Sequence, residues 1–387
     1  MKKMNLAILT GSDIRCSGGS GKYVIELCKR LENYDVTVFS YKDDKSAVIE
    51  DKEIRRMMNA KLEYFLSFTL PVSKERIPLT VSGVRILSKL HTYNSIYVMD
   101  TTAPTLFMIL LFLRLKQSRA KVILGIHDPG FMRIIPQKDT FMRRIMLRLY
   151  RPIYKRVVFA VQNMHVLNIN DNKMLEKEGY KGQIYYIPNF LYYNKNEVSS
   201  NVGLNKKEFI VLFCGRLVIY QKGIDLLEEI VKKTLEKNKN IRFHIVGSGG
   251  DGQKLMEDLK IRYLKNVKYL GFIPNKQLEE EYKNASLYIM TSRIEAFPIV
   301  TLEAQSHGLP IISFDIKGPN DVIKKYFQGK LIKPFEIGDF VNAILEDYEL
   351  WKEGKLDMTY KCEIIDYIFS KYSEERIIPR IKKMLQD

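Results

Sequence analysis

Short apolar runs alternate with stretches of 3.6-residue period along most of the chain. In the first half the runs Asn5–Thr10, Asp35–Ser40, Ser95–Met99, Lys121–Ile126, Arg156–Val161 and Gln183–Ile187 predict strands. Between them, Ser20–Leu31 places Val24, Leu27, Cys28 and Leu31 on one helical face. Residues 42–90 yield no clear order of elements. Ala103–Leu113 is the longest apolar run, but only about half the ~20 residues of a membrane-spanning helix, so it predicts a buried helix. A polar stretch, Tyr192–Lys207, interrupts the alternation after Ile187-Pro188-Asn189. It then resumes, with strands predicted at Glu208–Cys214, Ile241–Val246, Val267–Leu270, Leu287–Met290 and Pro310–Phe314. Helices are predicted at Gly223–Glu236, Asp251–Tyr263, Asn275–Asn284, Ile299–Ser306 and Ile337–Leu350, and an amphipathic segment, Ser373–Leu385, ends the chain. Strand–helix alternation of this kind predicts α/β domains with parallel sheets. The expected division is a first domain over 1–190, a linker over 191–207, a second domain over 208–370 and a C-terminal helix over 371–387, free to return to the first domain. Two open parallel sheets in tandem bind ligands beyond the carboxyl ends of their strands, so the expected site is a cleft between the domains.

The length of 387 residues suits two such domains, and 46% hydrophobic with 28% charged residues excludes disorder as the main state. The net charge of +17 is uneven: residues 1–194 hold 31 basic and 17 acidic side chains, the remainder 31 and 28. An anionic partner is therefore expected mainly at the first half. Cys16, Cys28, Cys214 and Cys362 are scattered, which excludes a disulfide framework or zinc cluster and fits a reducing compartment. The apolar stretch near the N-terminus is too short for a signal peptide. A cytoplasmic protein is expected, one that can rest on the inner face of the membrane without crossing it.

Several motifs fall at predicted strand ends. Gly18-Gly19-Ser20-Gly21-Lys22 lies between the first strand and a helix, where glycines let amides approach a phosphate or simply make a turn. It is not a Walker A loop, because Cys16 stands where that motif needs Gly and Tyr23 where it needs Ser or Thr. Gly215-Arg216-Leu217 with Lys222-Gly223 offers an Arg fork and a Lys charge on one loop, enough to neutralise a diphosphate; two solvated cations are the plainer reading. In Glu295-Ala296-Phe297-Pro298-Ile299-Val300-Thr301-Leu302-Glu303, Pro298 suits a first helical turn, whose amides at Ile299 and Val300 can hold phosphate oxygens. Glu303, one turn on, suits the two hydroxyls of a ribose, and Glu295 suits sugar hydroxyls; each can equally be an ordinary helix carboxylate. His127-Asp128 ends the apolar run Val122–Ile126, and Gly247-Ser248-Gly249-Gly250-Asp251 makes another glycine turn, with Asp251 expected to cap the next helix.

Taken as an ordered set, these motifs resemble the retaining glycosyltransferases of family 4, which have the GT-B fold of two Rossmann-like domains facing across a cleft. Gly215-Arg216-Leu217…Lys222-Gly223, Gly247-Ser248-Gly249, Leu270-Gly271-Phe272-Ile273-Pro274 and Glu295-x7-Glu303 occur in that family's order. The likeness spans nearly the whole chain and is strongest over 208–315. It implies that Arg216 and Lys222 bind the donor diphosphate and support the leaving group, that Glu303 binds the ribose and Glu295 the transferred sugar. It further implies that Gly19 and Gly247 lie close to the donor, that Ile299 and Val300 give amides to its phosphates, and that His127 sits beside the sugar and the reacting centre. Arg216 and Lys222 are one residue further apart than in many relatives, which predicts a bulge at Ile219–Gln221. Pro298 stands where many relatives have Gly. The implied donor is a UDP or GDP sugar and the implied acceptor a glycan or lipid-linked sugar, in cell-surface polysaccharide or glycoconjugate synthesis. The sequence has no Asp-x-Asp motif, so no metal and no further cofactor are expected. Retention of configuration follows from the resemblance alone.

Between Phe131 and Arg156 eight cations face one carboxylate, Asp139. Arg144, Arg148, Arg151 and Lys155 recur at helical spacing, with Arg143 beside them, and read as a membrane or acceptor surface. Nucleic acid is the less favoured partner, as no motif for it is present. Two other functions fit the same sequence: a nucleotide-sugar epimerase of similar fold, and a non-catalytic protein that binds sugar nucleotides or a membrane surface. The donor sugar, its base and the acceptor are not legible.

Overall fold

The computed structural model describes residues 3–16, 19–44, 47, 49–66, 68–69, 76–77, 80–99, 103–127, 152–153, 155–195, 207–355 and 358–386. The chain divides into two compact units, Met1–Pro188 together with Ile377–Asp387, and Asn189–Arg376.

Unit 1 is built on seven parallel strands: β1 Met4–Thr10, β2 Tyr34–Tyr41, β3 Lys61–Phe65, β6 Ser95–Met99, β7 Lys121–Ile126, β8 Asn163–Val166 and β9 Gln183–Tyr186. Two short strands, β4 Phe68–Thr69 and β5 Arg76–Ile77, pair antiparallel outside this sheet. The sheet order is β3-β2-β1-β6-β7-β8-β9. Apolar residues dominate both faces of the central strands, because helices cover each side of a parallel sheet; every residue of β6 is buried. The order reverses between β1 and β6, which pair directly, so the crevice beyond their carboxyl ends is the ligand position of this topology. The C-terminal helix Glu374–Gln386 buries Ile377, Ile378, Ile381, Met384 and Leu385. Its last turn accepts hydrogen bonds from Ser95 Oγ, 2.8 Å to the Leu385 carbonyl, and Lys121 Nζ, 2.7 Å to that of Met384. This ties the helix to the amino ends of β6 and β7.

Unit 2 repeats the plan with six parallel strands: β10 Phe209–Cys214, β11 Ile241–Val246, β12 Val267–Gly271, β13 Leu287–Met290, β14 Ile311–Phe314 and β15 Gly329–Ile332, in the order β12-β11-β10-β13-β14-β15. The period of two sorts its core. Phe209, Val211 and Phe213 pack with Phe243, Ile245, Phe340 and Ile344 on one face, while Leu212 joins Val246, Tyr288 and Met290 on the other. The reversal here lies between β10 and β13. The loops leaving those strands carry the Gly215–Lys222 and Glu295 motifs, so the motifs stand at this sheet's own switch point.

One expected element differs in the structure. Arg156–Val161, expected as a strand, is helical over 155–159, and its buried residues Val158 and Val161 are three apart. The strand is Asn163–Val166, whose polar Asn163 and His165 concealed it. The helix expected at Gly223–Glu236 is present as Ile224–Lys237, and a short helical turn, Ile219–Lys222, precedes it and meets it at Gly223, which adopts φ 63°. The expected bulge at Ile219–Gln221 is this helical turn.

Candidate active site

Three loops interlock at the carboxyl ends of β10, β11 and β13. The Gly215 amide donates to the Val246 carbonyl (3.1 Å) and that of Gly252 to the Leu217 carbonyl (2.8 Å). Gly247 has φ 140°, and a Cβ there would fall 1.8 Å from the Gly215 carbonyl oxygen, so only glycine lets the two loops close. Asp251 does not cap the helix after it, which begins at Gln253 behind Gly252 with no side-chain cap. Its carboxylate instead accepts from the Ile219 amide (2.8 Å), the first residue of the Ile219–Lys222 turn in the neighbouring loop.

The β13 loop grips that turn from the other side. Gly223 is again obligatory, since a Cβ would lie 2.0 Å from the Thr291 carbonyl oxygen. Thr291 Oγ1 donates to the Lys222 carbonyl (2.9 Å) and the Arg293 amide to that of Gln221 (2.9 Å). The Arg293 guanidinium holds Asp225 with two bonds of 2.8 and 2.7 Å. With both loops fixed, Lys222 Nζ stands 2.5 Å from Glu295 Oε1, and Ser292 Oγ donates to the same oxygen at 2.7 Å. Glu295 is buried and Lys222 largely so, while Arg216 is exposed and donates to Gln221 Oε1 (3.2 Å). The structure therefore joins Lys222 to Glu295 directly and leaves the Arg216 fork open to an anion.

Four residues after Glu295 the helix Ile299–Ser306 begins, with Pro298 as its N-cap. Ile299 and Val300 occupy the first two helical positions, where the helix supplies no carbonyl for their amides. Those amides and the helix dipole favour an anion. Glu303 is buried one turn on and accepts from Tyr282 Oη (3.1 Å). Sequence reasoning missed Tyr282, Ser292, Thr291 and Arg293. Ser292 and Thr291 lie on the Glu295 loop itself; Tyr282 lies on the helix expected at Asn275–Asn284, with no pattern that marks it as a site residue.

In unit 1, Gly19 opens the helix Gly19–Arg30 and Gly18 lies outside the described residues. His127 directly follows β7 and is half-buried, its Nε2 2.9 Å from Tyr97 Oη and its ring 5.3 Å from the Tyr23 ring in an edge contact. Burial, reinforced by His165, holds its pKa well below the usual imidazole value. Asp128, Arg143, Arg144, Arg148 and Arg151 lie outside the described residues. Lys155 is engaged locally, with Glu178 at 2.8 Å and the Phe159 ring 5.1 Å away.

His165, fully buried on β8, is lowered to about 4, chiefly by burial; its bond to the Ile187 carbonyl opposes the shift and the nearby Arg380 adds to it. Unfolded histidine binds its proton near pH 6.5, so the unfolded chain carries more protons between that pH and about 4. Stability should therefore fall as pH drops through this window, by roughly 3 kcal/mol from this residue. Urea midpoints at pH 7 and 4.5 measure it: the drop should shrink in His165→Asn, and an equal drop in both proteins would contradict the assignment.

Residues 194–358 match the family model of glycosyl transferases group 1. An uncharacterized glycosyltransferase of Methanocaldococcus jannaschii is 34% identical over 153 residues, 38% of this chain and 38% of that protein. The UDP-Gal:alpha-D-GlcNAc-diphosphoundecaprenol alpha-1,3-galactosyltransferase of Escherichia coli is 33% identical over 161 residues, 39% of this chain and 40% of that one. The chain thus spans about two fifths of the length of the curated relatives it matches. Anabaena HepE, solved with UDP and glucose, superposes with a TM-score of 0.75 at 17% identity over 99% of this chain and 100% of its own. The fold is accordingly that of the GT-B glycosyltransferases, two Rossmann-like α/β domains, and the family match falls on unit 2, where Arg216, Lys222, Glu295 and Glu303 reside. Among the described residues no helix is long and apolar enough to cross a membrane.

Proposed function

We propose that this protein is a retaining, metal-independent glycosyltransferase of family 4 that moves a sugar from a UDP sugar to a glycan or lipid-linked acceptor in cell-surface glycan synthesis. The observation that carries this reading is the ion pair of the half-buried Lys222 with the buried Glu295, beside the exposed Arg216 and the first turn at Ile299–Val300, all at one switch point. The preference for UDP draws on the UDP seen in HepE and named in the E. coli relative's donor, and the lipid-linked acceptor on that relative's name.

In this mechanism the bond between the anomeric carbon and the diphosphate oxygen breaks, and the growing charge on that oxygen falls to Lys222, Arg216 and the amides of Ile299 and Val300. These groups are already oriented, so little reorganisation accompanies bond breaking. Glu295 is acceptor-only when ionised and takes hydrogen bonds from hydroxyls of the transferred sugar, while Glu303, steadied by Tyr282, takes those of the ribose. The acceptor hydroxyl bonds to the anomeric carbon on the face the diphosphate leaves, and its proton passes to the departing phosphate oxygen. His127 is the residue of unit 1 that meets the sugar. A thermal-shift screen tests the donor class: UDP at ~100 times its dissociation constant should add about 2.7 kcal/mol, a rise of several degrees. GDP and ADP should give less. A melting curve that no nucleoside diphosphate moves would remove the proposal.

A further inference from the structure

A chain of buried polar groups runs sideways across four strands of unit 1 and ends at His127. The Ile187 carbonyl, just past β9, lies 2.7 Å from His165 Nε2. His165 Nδ1 on β8 is hydrogen-bonded to Tyr97 Oη on β6 at 2.5 Å, and Tyr97 Oη to His127 Nε2 at 2.9 Å. Gly125 on β7 makes the crossing possible, since a Cβ there would come within 3.0 Å of the Tyr97 hydroxyl and 3.2 Å of His127 Nε2.

The donors and acceptors along this chain have one consistent assignment. A carbonyl only accepts, so His165 Nε2 carries the proton, and the neutral ring presents Nδ1 as an acceptor. Tyr97 then donates its single proton to His165 and can only accept from His127, whose proton is therefore on Nε2. The direct approach of His127 Nε2 to His165 Nδ1, 3.4 Å, requires the same placement. The reverse order would need His165 doubly protonated, which its burial and the neighbouring Arg380 oppose. No hydrogen bond to His127 Nδ1 is present among the described residues.

We propose that Tyr97 and His165 are positioning residues that lock His127 as its Nε2–H tautomer, so that Nδ1 is presented as a hydrogen-bond acceptor to a hydroxyl of the transferred sugar. The sugar contact rests on the function proposed above; the tautomer does not. A backbone carbonyl thus sets the proton position of a ring three hydrogen bonds away, in the manner of the partners that orient catalytic histidines.

Long-range 1H–15N correlation spectra of the full-length, 15N-histidine-labelled protein at pH 7.5 read the tautomer directly, with His127→Gln and His165→Asn supplying assignments. The expected wild-type spectrum shows both His127 and His165 as neutral Nε2–H rings. A His127 protonated on Nδ1, or averaged between tautomers, overturns the proposal without any variant having to fold. Tyr97→Phe, checked by its melting curve, should release His127 into a mixture of tautomers. It should also lower sugar transfer about tenfold with nucleoside diphosphate affinity unchanged. Transfer unaltered by Tyr97→Phe overturns the positioning role. A locked tautomer in a protein that transfers no sugar from any nucleotide donor would instead overturn the function proposed above and leave the lock standing.

Discussion

Glu295→Gln should lower sugar transfer by about 10²–10³-fold while nucleoside diphosphate affinity changes by no more than about threefold. The substitution keeps the side chain's shape and an oxygen for Ser292 Oγ, 2.7 Å away in the native protein. It removes the charge that answers Lys222 and one of the two acceptor oxygens offered to the sugar. Lys222 keeps its ammonium, so the diphosphate keeps its cation. Lys222→Ala behaves differently, because it strips the partner from a carboxylate that is only 7% exposed. Both diphosphate affinity and turnover should fall, and the protein should also lose stability, since an unpaired buried charge is costly. Steady-state kinetics beside a UDP titration separates the two variants. If Glu295→Gln turned over at the native rate, the carboxylate would have no part in sugar transfer.

Gly247→Ala should destabilise unit 2 by about 3 kcal/mol or more and lower the melting temperature by about 6–12 °C. The added methyl would meet the Gly215 carbonyl oxygen at 1.8 Å, backbone against backbone, with no flexible side chain to give way. The two loops would have to part, and with them the arrangement that brings Asp251 to the Ile219 amide and so fixes the turn carrying Lys222. Gly249→Ala is the matched comparison: its φ of 71° carries a conformational cost, but nothing lies within 4 Å of the new methyl. It should cost about 1–2 kcal/mol. Equal losses from both substitutions, read by thermal melting, would mean that φ strain rather than loop packing explains Gly247.

The legible part of this protein was the part where one physical signal dominates. Strands buried on both faces, such as Ile96–Met99 and Val211–Phe213, read directly as apolar runs, and the helix Ile299–Ser306 was placed by the residues before it. The motifs of unit 2 were legible because each sits where a strand ends and a helix begins. What escaped detection was decided by tertiary partners. Asn163–Val166 is a strand because its neighbours supply both a ladder and a polar relay for His165, and no local pattern announces that. The Arg156–Val161 run looks like a strand by its β-branched residues, yet the spacing of Val158 and Val161 is helical. Asp251 had the composition of a cap for its own helix, but its cap lies on another loop. Tyr282 and Ser292, which hold the two site carboxylates, are ordinary residues in sequence, distinguished only by what the fold brings to them.

The proposed function requires fixed cations and a helix tip, without a divalent ion, to hold a nucleoside diphosphate on unit 2. Isothermal titration of the full-length protein with UDP, run in EDTA and again with added manganese, tests it most directly. The predicted result is equal affinity in both, with binding at least about tenfold weaker in Lys222→Ala. Binding that disappears in EDTA, returns with manganese and is indifferent to Lys222 would contradict the account.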